Sequence, residues 1–251
     1  MAESLRIAMW SGPRNISTAM MRAFENRPDC TVTDEPLYGA WLKMTGEDHP
    51  MREDVIAAME TDWRKVAESL TGPVPESRPI WYQKHMTHHL LPEMVQRDWL
   101  SKLVHVFLIR DPAAVVASYL NKRDMVSAAD IGVPQQWAMY RFVTEELGQK
   151  PPVLDSTEFL HEPEAHLRAL CAALEIPFSG SMLSWPAGPR DSDGVWAPHW
   201  YASVRESTGF GPPPDAAPSL SGWAREVADA CRPVYDRLAA KRLIVRPGMQ
   251  P

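Results

Sequence analysis

Short unbroken apolar runs alternate along this chain with longer stretches whose apolar residues recur every three or four positions, the rhythm of strands followed by helices. Leu5 to Trp10 reads as a strand that runs into Ser11-Gly12-Pro13-Arg14-Asn15, and Ile16 to Glu25 then takes helical spacing. Thr31 to Thr33 predicts a second strand ending at Asp34-Glu35-Pro36, and Pro79 to Gln83 a third stopping at Lys84-His85. Val104 to Ile109 is a fourth, closed by Arg110-Asp111-Pro112, and Pro152 to Leu154 a fifth, closed by Asp155. Between them, Val55, Met59, Trp63, Val66 and Leu70 predict one helix over Met51 to Leu70. The helix after the fourth strand has Asp111 as N-cap and Pro112 as first residue, where a missing N–H costs nothing. Pro163 to Leu174 is a further helix, and Ser221 to Lys241 closes the chain with a kink at Pro233. Gly211 to Pro218, with four prolines in eight residues, is a surface loop. This order predicts an α/β fold in three layers, a mostly parallel sheet covered by helices on both faces, with a ligand outside the carboxyl ends of the strands.

The 251 residues, 45% of them hydrophobic, suffice for one core, and the expectation is a single domain over 1–251. A net charge of -6 spread along the chain argues against a general grip on nucleic acid or a membrane, so an anionic ligand needs a local cluster. Cys30, Cys171 and Cys231 are odd in number and lack metal-ligand spacing, which fits a reducing compartment. The apolar stretch Ile7 to Trp10 is too short for a signal or a membrane span, so the expected location is cytoplasmic.

The chemistry gathers at the predicted strand ends. Ser11-Gly12-Pro13-Arg14-Asn15-Ile16-Ser17-Thr18 lies between strand and helix, where backbone N–H groups and the helix dipole favour phosphate or sulfate. Arg14 adds a forked cation, and Ser17 and Thr18 add hydroxyls. The Gly-Lys-Ser/Thr ending of a triphosphatase is absent, which counts against ATP or GTP hydrolysis. An ordinary turn with a solvated Arg14 is the plain alternative. Arg110 ends the fourth strand, and Ser118 stands roughly 9 Å along the next helix, within reach of a shared phosphate; an arginine paired with a surface acid is the plain alternative there.

Leu108-Ile109-Arg110-Asp111-Pro112 through Ser118-Tyr119 resembles the 3′-phosphate segment of the sulfotransferases that use 3′-phosphoadenosine-5′-phosphosulfate (PAPS), and Ser11 to Thr18 resembles their 5′-phosphosulfate loop. The resemblance covers about residues 5 to 180. It implies a P-loop NTPase-like sulfotransferase fold, PAPS as donor, no metal, and a small hydroxyl or amine acceptor. Arg14 stands where the family has its loop lysine or arginine. Asn15-Ile16 replaces a family glycine, and the family's late Arg-Lys-Gly segment is not recognisable, Arg205 being the candidate substitute.

By the same resemblance Lys84-His85 matches the strand end that carries the catalytic histidine. His85 is then the general base, with His88 and His89 as alternatives, and Lys84 or Arg14 steadies the departing phosphate. Asp34 and Glu35 face the acceptor, as a positioning group or alternative base. His85, His88 and His89 also have helical metal-ligand spacing, but nothing nearby completes a zinc site. His105, inside an apolar strand, reads as a core residue, and Trp196, Trp200 and Tyr201 as candidates for a pocket wall. A P-loop kinase and a catalytically degenerate nucleotide-binding module are the competing readings. Neither the acceptor nor the oligomeric state is written in the chain, and a homodimer is compatible with it.

Overall fold

The computed structural model describes residues 4–91, 95–120, 125–213 and 218–245. Five strands, β1 (Leu5–Ser11), β2 (Cys30–Asp34), β3 (Ile80–Met86), β4 (Val104–Ile109) and β5 (Val153–Asp155), form one sheet in the order β2-β3-β1-β4-β5. Every pairing is parallel. Eleven α-helices are found among the described residues: α1 (Ser17–Glu25), α2 (Tyr38–Thr45), α3 (Arg52–Ala58), α4 (Trp63–Thr71), α5 (Pro112–Leu120), α6 (Val133–Arg141), α7 (Ser156–His161), α8 (Pro163–Ala173), α9 (Ala197–Trp200), α10 (Ala202–Glu206) and α11 (Gly222–Ala239).

Strand alternation divides the core between the two faces. Ile7 and Met9 of β1 pack with Met20 and Phe24 of α1 and with Leu167 and Leu170 of α8, whereas Ala8 and Trp10 pack with Val66 and Leu70 of α4 and Met139 of α6. A parallel sheet buried on both faces needs such apolar runs, which is why all five strands are legible in the sequence. After β1 the chain moves to one side of the sheet, and β4 and β5 lie on the other, so the carboxyl ends around β1 open a crevice.

Asp111 caps α5 as expected, its Oδ1 accepting from the N–H of Ala113 at 2.8 Å. Two expectations are corrected. The single helix over 51 to 70 is broken: Met59 is extended, and Asp62 accepts from the N–H of Arg64 at 2.9 Å to start α4 anew. Apolar spacing carried through the break, but an aspartate cap outweighed it. The third strand, expected to stop before Lys84, continues to Met86 because Lys84, His85 and Met86 pair with Met9, Trp10 and Ser11 of β1. Four residues of the proline-rich tract, 214–217, lie outside the described residues.

Candidate active site

The strand ends open onto one cavity of about 400 Å³, lined at one end by Pro13 to Ala19, Arg110 and Ser118 and at the other by Glu35, Lys84, His88, His89 and Tyr201. That size suits a small-molecule ligand.

The first end is cationic. Nε of Arg14 donates to Oγ of Ser118 at 3.1 Å, and Nη1 of Arg110 donates to the carbonyl of Arg14. The anion loop and the β4–α5 segment therefore interlock, and one ligand can touch both arginines. Neither guanidinium forms an ion pair with a carboxylate among the described residues. Burial lowers the pKa of both, and Arg14 lowers that of Arg110 further by like-charge repulsion. Asp111 and Asp155 offset part of this at Arg110 from beyond ion-pair distance, and two half-buried cations held together in this way are a seat for an anion. No side chain caps α1, which leaves its first turn, with Ser17 and Thr18 on the cavity wall, available to the same ligand.

The loop is held by contacts that the motif did not announce. Nδ2 of Asn15 donates to the carbonyl of Leu108 at 2.9 Å, tying the position of the family glycine to the end of β4. Gly12 is required on contact grounds, since a Cβ there would lie 2.6 Å from the carbonyl oxygen of Ile131. Ser11 is buried in β1, its hydroxyl on the sulfur of Met86, and neither it nor Gly12 reaches the cavity wall. Ile16 does reach it.

The other end is a buried charge network. Nζ of Lys84 donates to Asp34 Oδ1 at 2.8 Å, Glu35 Oε1 at 2.6 Å and the Tyr201 hydroxyl at 2.7 Å. The Tyr201 hydroxyl donates to Asp34 Oδ2 at 2.7 Å and accepts from Nε1 of Trp196 at 3.0 Å. Lys84 thus spends all three protons on this network, and its pKa is raised by the two carboxylates despite burial. Burial raises the pKa of Glu35, with Asp34 adding to the shift and Lys84 opposing it. Oε2 of Glu35 stands 3.9 Å from Nδ1 of His89, a buried ring atom with no hydrogen-bond partner, and both residues line the cavity. Burial first, then neighbouring imidazoles and Lys84, holds His89 neutral, well below the ordinary histidine pKa.

Several assignments made from the sequence change. Because Lys84 and His85 are consecutive in a strand, they point to opposite faces. Lys84 reaches the cavity; His85 is turned into the core, its ring stacked on Trp10 at 4.3 Å, Nε2 3.3 Å from Gln83 Oε1, and its pKa pushed down to about 3 by burial. His85 is therefore not placed to take a proton from an acceptor, whereas His88 and His89 are on the wall. Lys84 is not free to meet a departing phosphate. Arg14 groups with Arg110 and Ser118 rather than with Lys84. Arg205 does not line the cavity and instead faces Asp193 at 3.6 Å. Of the acid pair, Glu35 is on the cavity wall, while Asp34 is buried behind it among Lys84 and Tyr201. His105 is a core residue, accepting from Trp10 Nε1 at 2.9 Å and reaching the Leu100 carbonyl at 2.9 Å. Trp200 and Tyr201 line the cavity, while Trp196 lies behind Tyr201. The Tyr201 hydrogen bonds had no sequence signal beyond an aromatic-rich segment. Among the described residues, no group of three or more His, Cys, Asp or Glu side chains gathers to hold a metal ion, and no helix is long and apolar enough to cross a membrane.

An all-parallel sheet with an anion loop after its first strand and a second cationic seat after β4 defines a P-loop-like α/β domain. The chain belongs to the sulfotransferase family: the family model described as "Sulfotransferase domain" matches residues 5–242. Two Arabidopsis thaliana relatives are named branched-chain-amino-acid aminotransferase-like protein 1 and 2. The first is 41% identical over 213 residues, covering 85% of this chain and 38% of that protein. The second is 36% identical over 232 residues, covering 92% and 41%. This chain thus spans about two-fifths of the length of these curated relatives. Among solved structures, a sulfotransferase from Alicyclobacillus acidocaldarius superposes with a TM-score of 0.59 at 13% identity, covering 97% of this chain and 98% of the other. The sulfotransferase domain of the Synechococcus PCC 7002 olefin synthase gives 0.51 at 16% identity, covering 91% and 95%, and that of the curacin biosynthetic pathway 0.51 at 14%, covering 92% and 99%. At such identities the likeness is one of fold.

Proposed function

We propose that this domain transfers a sulfuryl group from PAPS to the hydroxyl or amine of a small-molecule acceptor. The observation that carries the reading is the convergence of Arg14, Arg110 and Ser118, with neither arginine ion-paired to a carboxylate among the described residues, on one end of a cavity whose far end presents Glu35 and His89. PAPS supplies the activated sulfuryl group and a bisphosphate leaving group. Arg110, Arg14 and Ser118 hold the 3′-phosphate by charge-assisted hydrogen bonds. Ser17, Thr18 and the first-turn N–H groups of α1 hold the 5′ end and steady the charge that develops on it.

Glu35 replaces His85 as the base. Its Oε1 is tied to Lys84, and its Oε2 lies beside the neutral His89, both residues being on the cavity wall. A carboxyl whose pKa is raised by burial is better matched to proton transfer near neutral pH than an ordinary one. As the acceptor oxygen or nitrogen bonds to sulfur, Glu35 takes its proton; the bond from sulfur to the 5′-phosphate oxygen breaks, and that oxygen keeps the electron pair. Lys84 acts indirectly, by keeping two adjacent carboxylates compatible with burial.

Thermal unfolding with PAP, PAPS, AMP and ATP tests the donor assignment, because a ligand selective for the native state raises its stability with occupancy. The expected order is PAP and PAPS above AMP, and AMP above or equal to magnesium-ATP. ATP binding more tightly than PAP, with magnesium dependence, would return the kinase reading to first place. Glu35→Gln is expected to keep PAP binding and to lower transfer roughly a hundredfold or more.

A further inference from the structure

We propose that Tyr201 is a positioning residue for Glu35: its hydroxyl bridges Lys84 and Asp34, and the network it completes leaves Oε2 of Glu35 beside His89. The inference rests on the reading of Glu35 as base and goes beyond it, because Tyr201 comes from a different part of the chain, between α9 and α10.

The hydrogen bonds assign themselves. Lys84 can donate three times, and its three acceptors lie at 2.6 to 2.8 Å. A hydroxyl has one proton and two lone pairs. At Tyr201 the lone pairs accept from Lys84 and Trp196, and the proton goes to Asp34 Oδ2 at 2.7 Å. Asp34 therefore has a donor on each oxygen, and Glu35 Oε1 has Lys84. Oε2 of Glu35 and Nδ1 of His89 remain, 3.9 Å apart. Glu35 itself sits at φ 42°, a left-handed conformation costly for a residue with a Cβ, so the neighbouring contacts must hold it. The titratable groups facing it are Asp34 beside it, Lys84 on β3, Tyr201 ahead of α10 and His89 in the turn after β3, with His88 and His49 around His89.

Tyr201→Phe keeps the ring, whose centroid is 5.1 Å from Nζ of Lys84, and removes only the hydroxyl, with its bridge to Asp34 and its longer 3.4 Å contact to Glu35 Oε1, both of which favour an ionised Glu35. Asp34 then loses a donor, its charge bears more heavily on Glu35, and Glu35 should protonate at higher pH. Asp34→Asn removes that charge and should move Glu35 the other way. The measurement is ¹³C NMR titration of the Glu35 side-chain carboxyl in the wild-type chain and both variants, with PAP added, alongside the acid limb of PAPS turnover. We expect shifts of about one pH unit in opposite directions. Unmoved titration in Tyr201→Phe, or movement of both variants in the same direction, overturns the positioning role. Opposite carboxyl shifts that the turnover profile does not follow would retain the bridge and overturn Glu35 as the base. Should Tyr201→Phe fail to fold, the double variant Tyr201→Phe/Asp34→Asn, in which the carboxylate that needs the hydroxyl is gone, takes its place, and a Glu35 titration identical to that of Asp34→Asn is the expected result, a different one the contrary result.

Discussion

Acid should unfold this protein earlier than its carboxylates alone would dictate, because two uncharged histidines are sealed in the core behind the active site. His85 and His105 lie on either side of Trp10, and burial holds their pKa values at about 3 and about 4. In the unfolded chain a histidine titrates near pH 6.5. The folded value is depressed, so the stability is fully present above pH 6.5 and is lost as the pH falls from there toward 4 and then 3. At pH 5 an unfolded histidine gains about 2 kcal/mol from protonation that the folded one does not, which makes about 4 kcal/mol for the pair. That is a large share of a typical net stability of roughly 5–15 kcal/mol. Glu35 works in the opposite sense, since a raised carboxyl pKa adds stability as pH falls, and it will soften the slope. Urea unfolding between pH 8 and pH 5 should show a stability loss approaching three protons taken up per molecule, because burial holds His89 neutral as well as His85 and His105. His85→Gln should remove about a third of that pH dependence, even if it lowers stability at pH 8. An unchanged slope in His85→Gln would show that His85 is already solvated or charged in the folded protein and does not lie neutral in the core.

Other expectations follow from single contacts. Lys84→Met should destabilise the chain by about 3–5 kcal/mol in denaturant titration, because Asp34 and Glu35 would be left as a buried, uncompensated pair. Arg22, buried and 2.5 Å from Asp193, anchors the segment leading to Tyr201; Arg22→Ala should cost a comparable amount and raise protease sensitivity between residues 190 and 207. Asn15→Ala should weaken PAP binding about fivefold in a calorimetric titration by releasing the loop from the Leu108 carbonyl, a loss of about 1 kcal/mol.

The five strands were legible because a parallel sheet covered on both faces requires apolar runs, and the residue types at their ends showed where the ligand would lie. Two kinds of information were not. One is which face a strand residue takes at the point where the strand is expected to stop. Ending β3 at Gln83 left the direction of Lys84 and His85 open, and three further residues of pairing with β1 sent the imidazole into the core. The other is long-range partnership. Lys84 and Tyr201 are 117 positions apart, and nothing local to either announces a hydrogen bond. Arg14 and Arg110 could each be read as ligands from their own motifs, but their contact through the Arg14 carbonyl comes from the adjacency of β1 and β4. Arg205 illustrates the converse: a basic residue in the right region of the sequence is already taken up by Asp193.

On the proposed function, Arg14, Arg110 and Ser118 form a seat for the second phosphate of an adenosine bisphosphate. Isothermal titration of PAP and AMP into the wild-type chain and Arg110→Ala measures it directly. One charge-assisted contact is worth about 1.5–3 kcal/mol, so the variant should lose roughly ten- to a hundredfold in PAP affinity while AMP changes little. Equal losses for both ligands, or a wild-type chain that does not prefer PAP to AMP, would contradict the account.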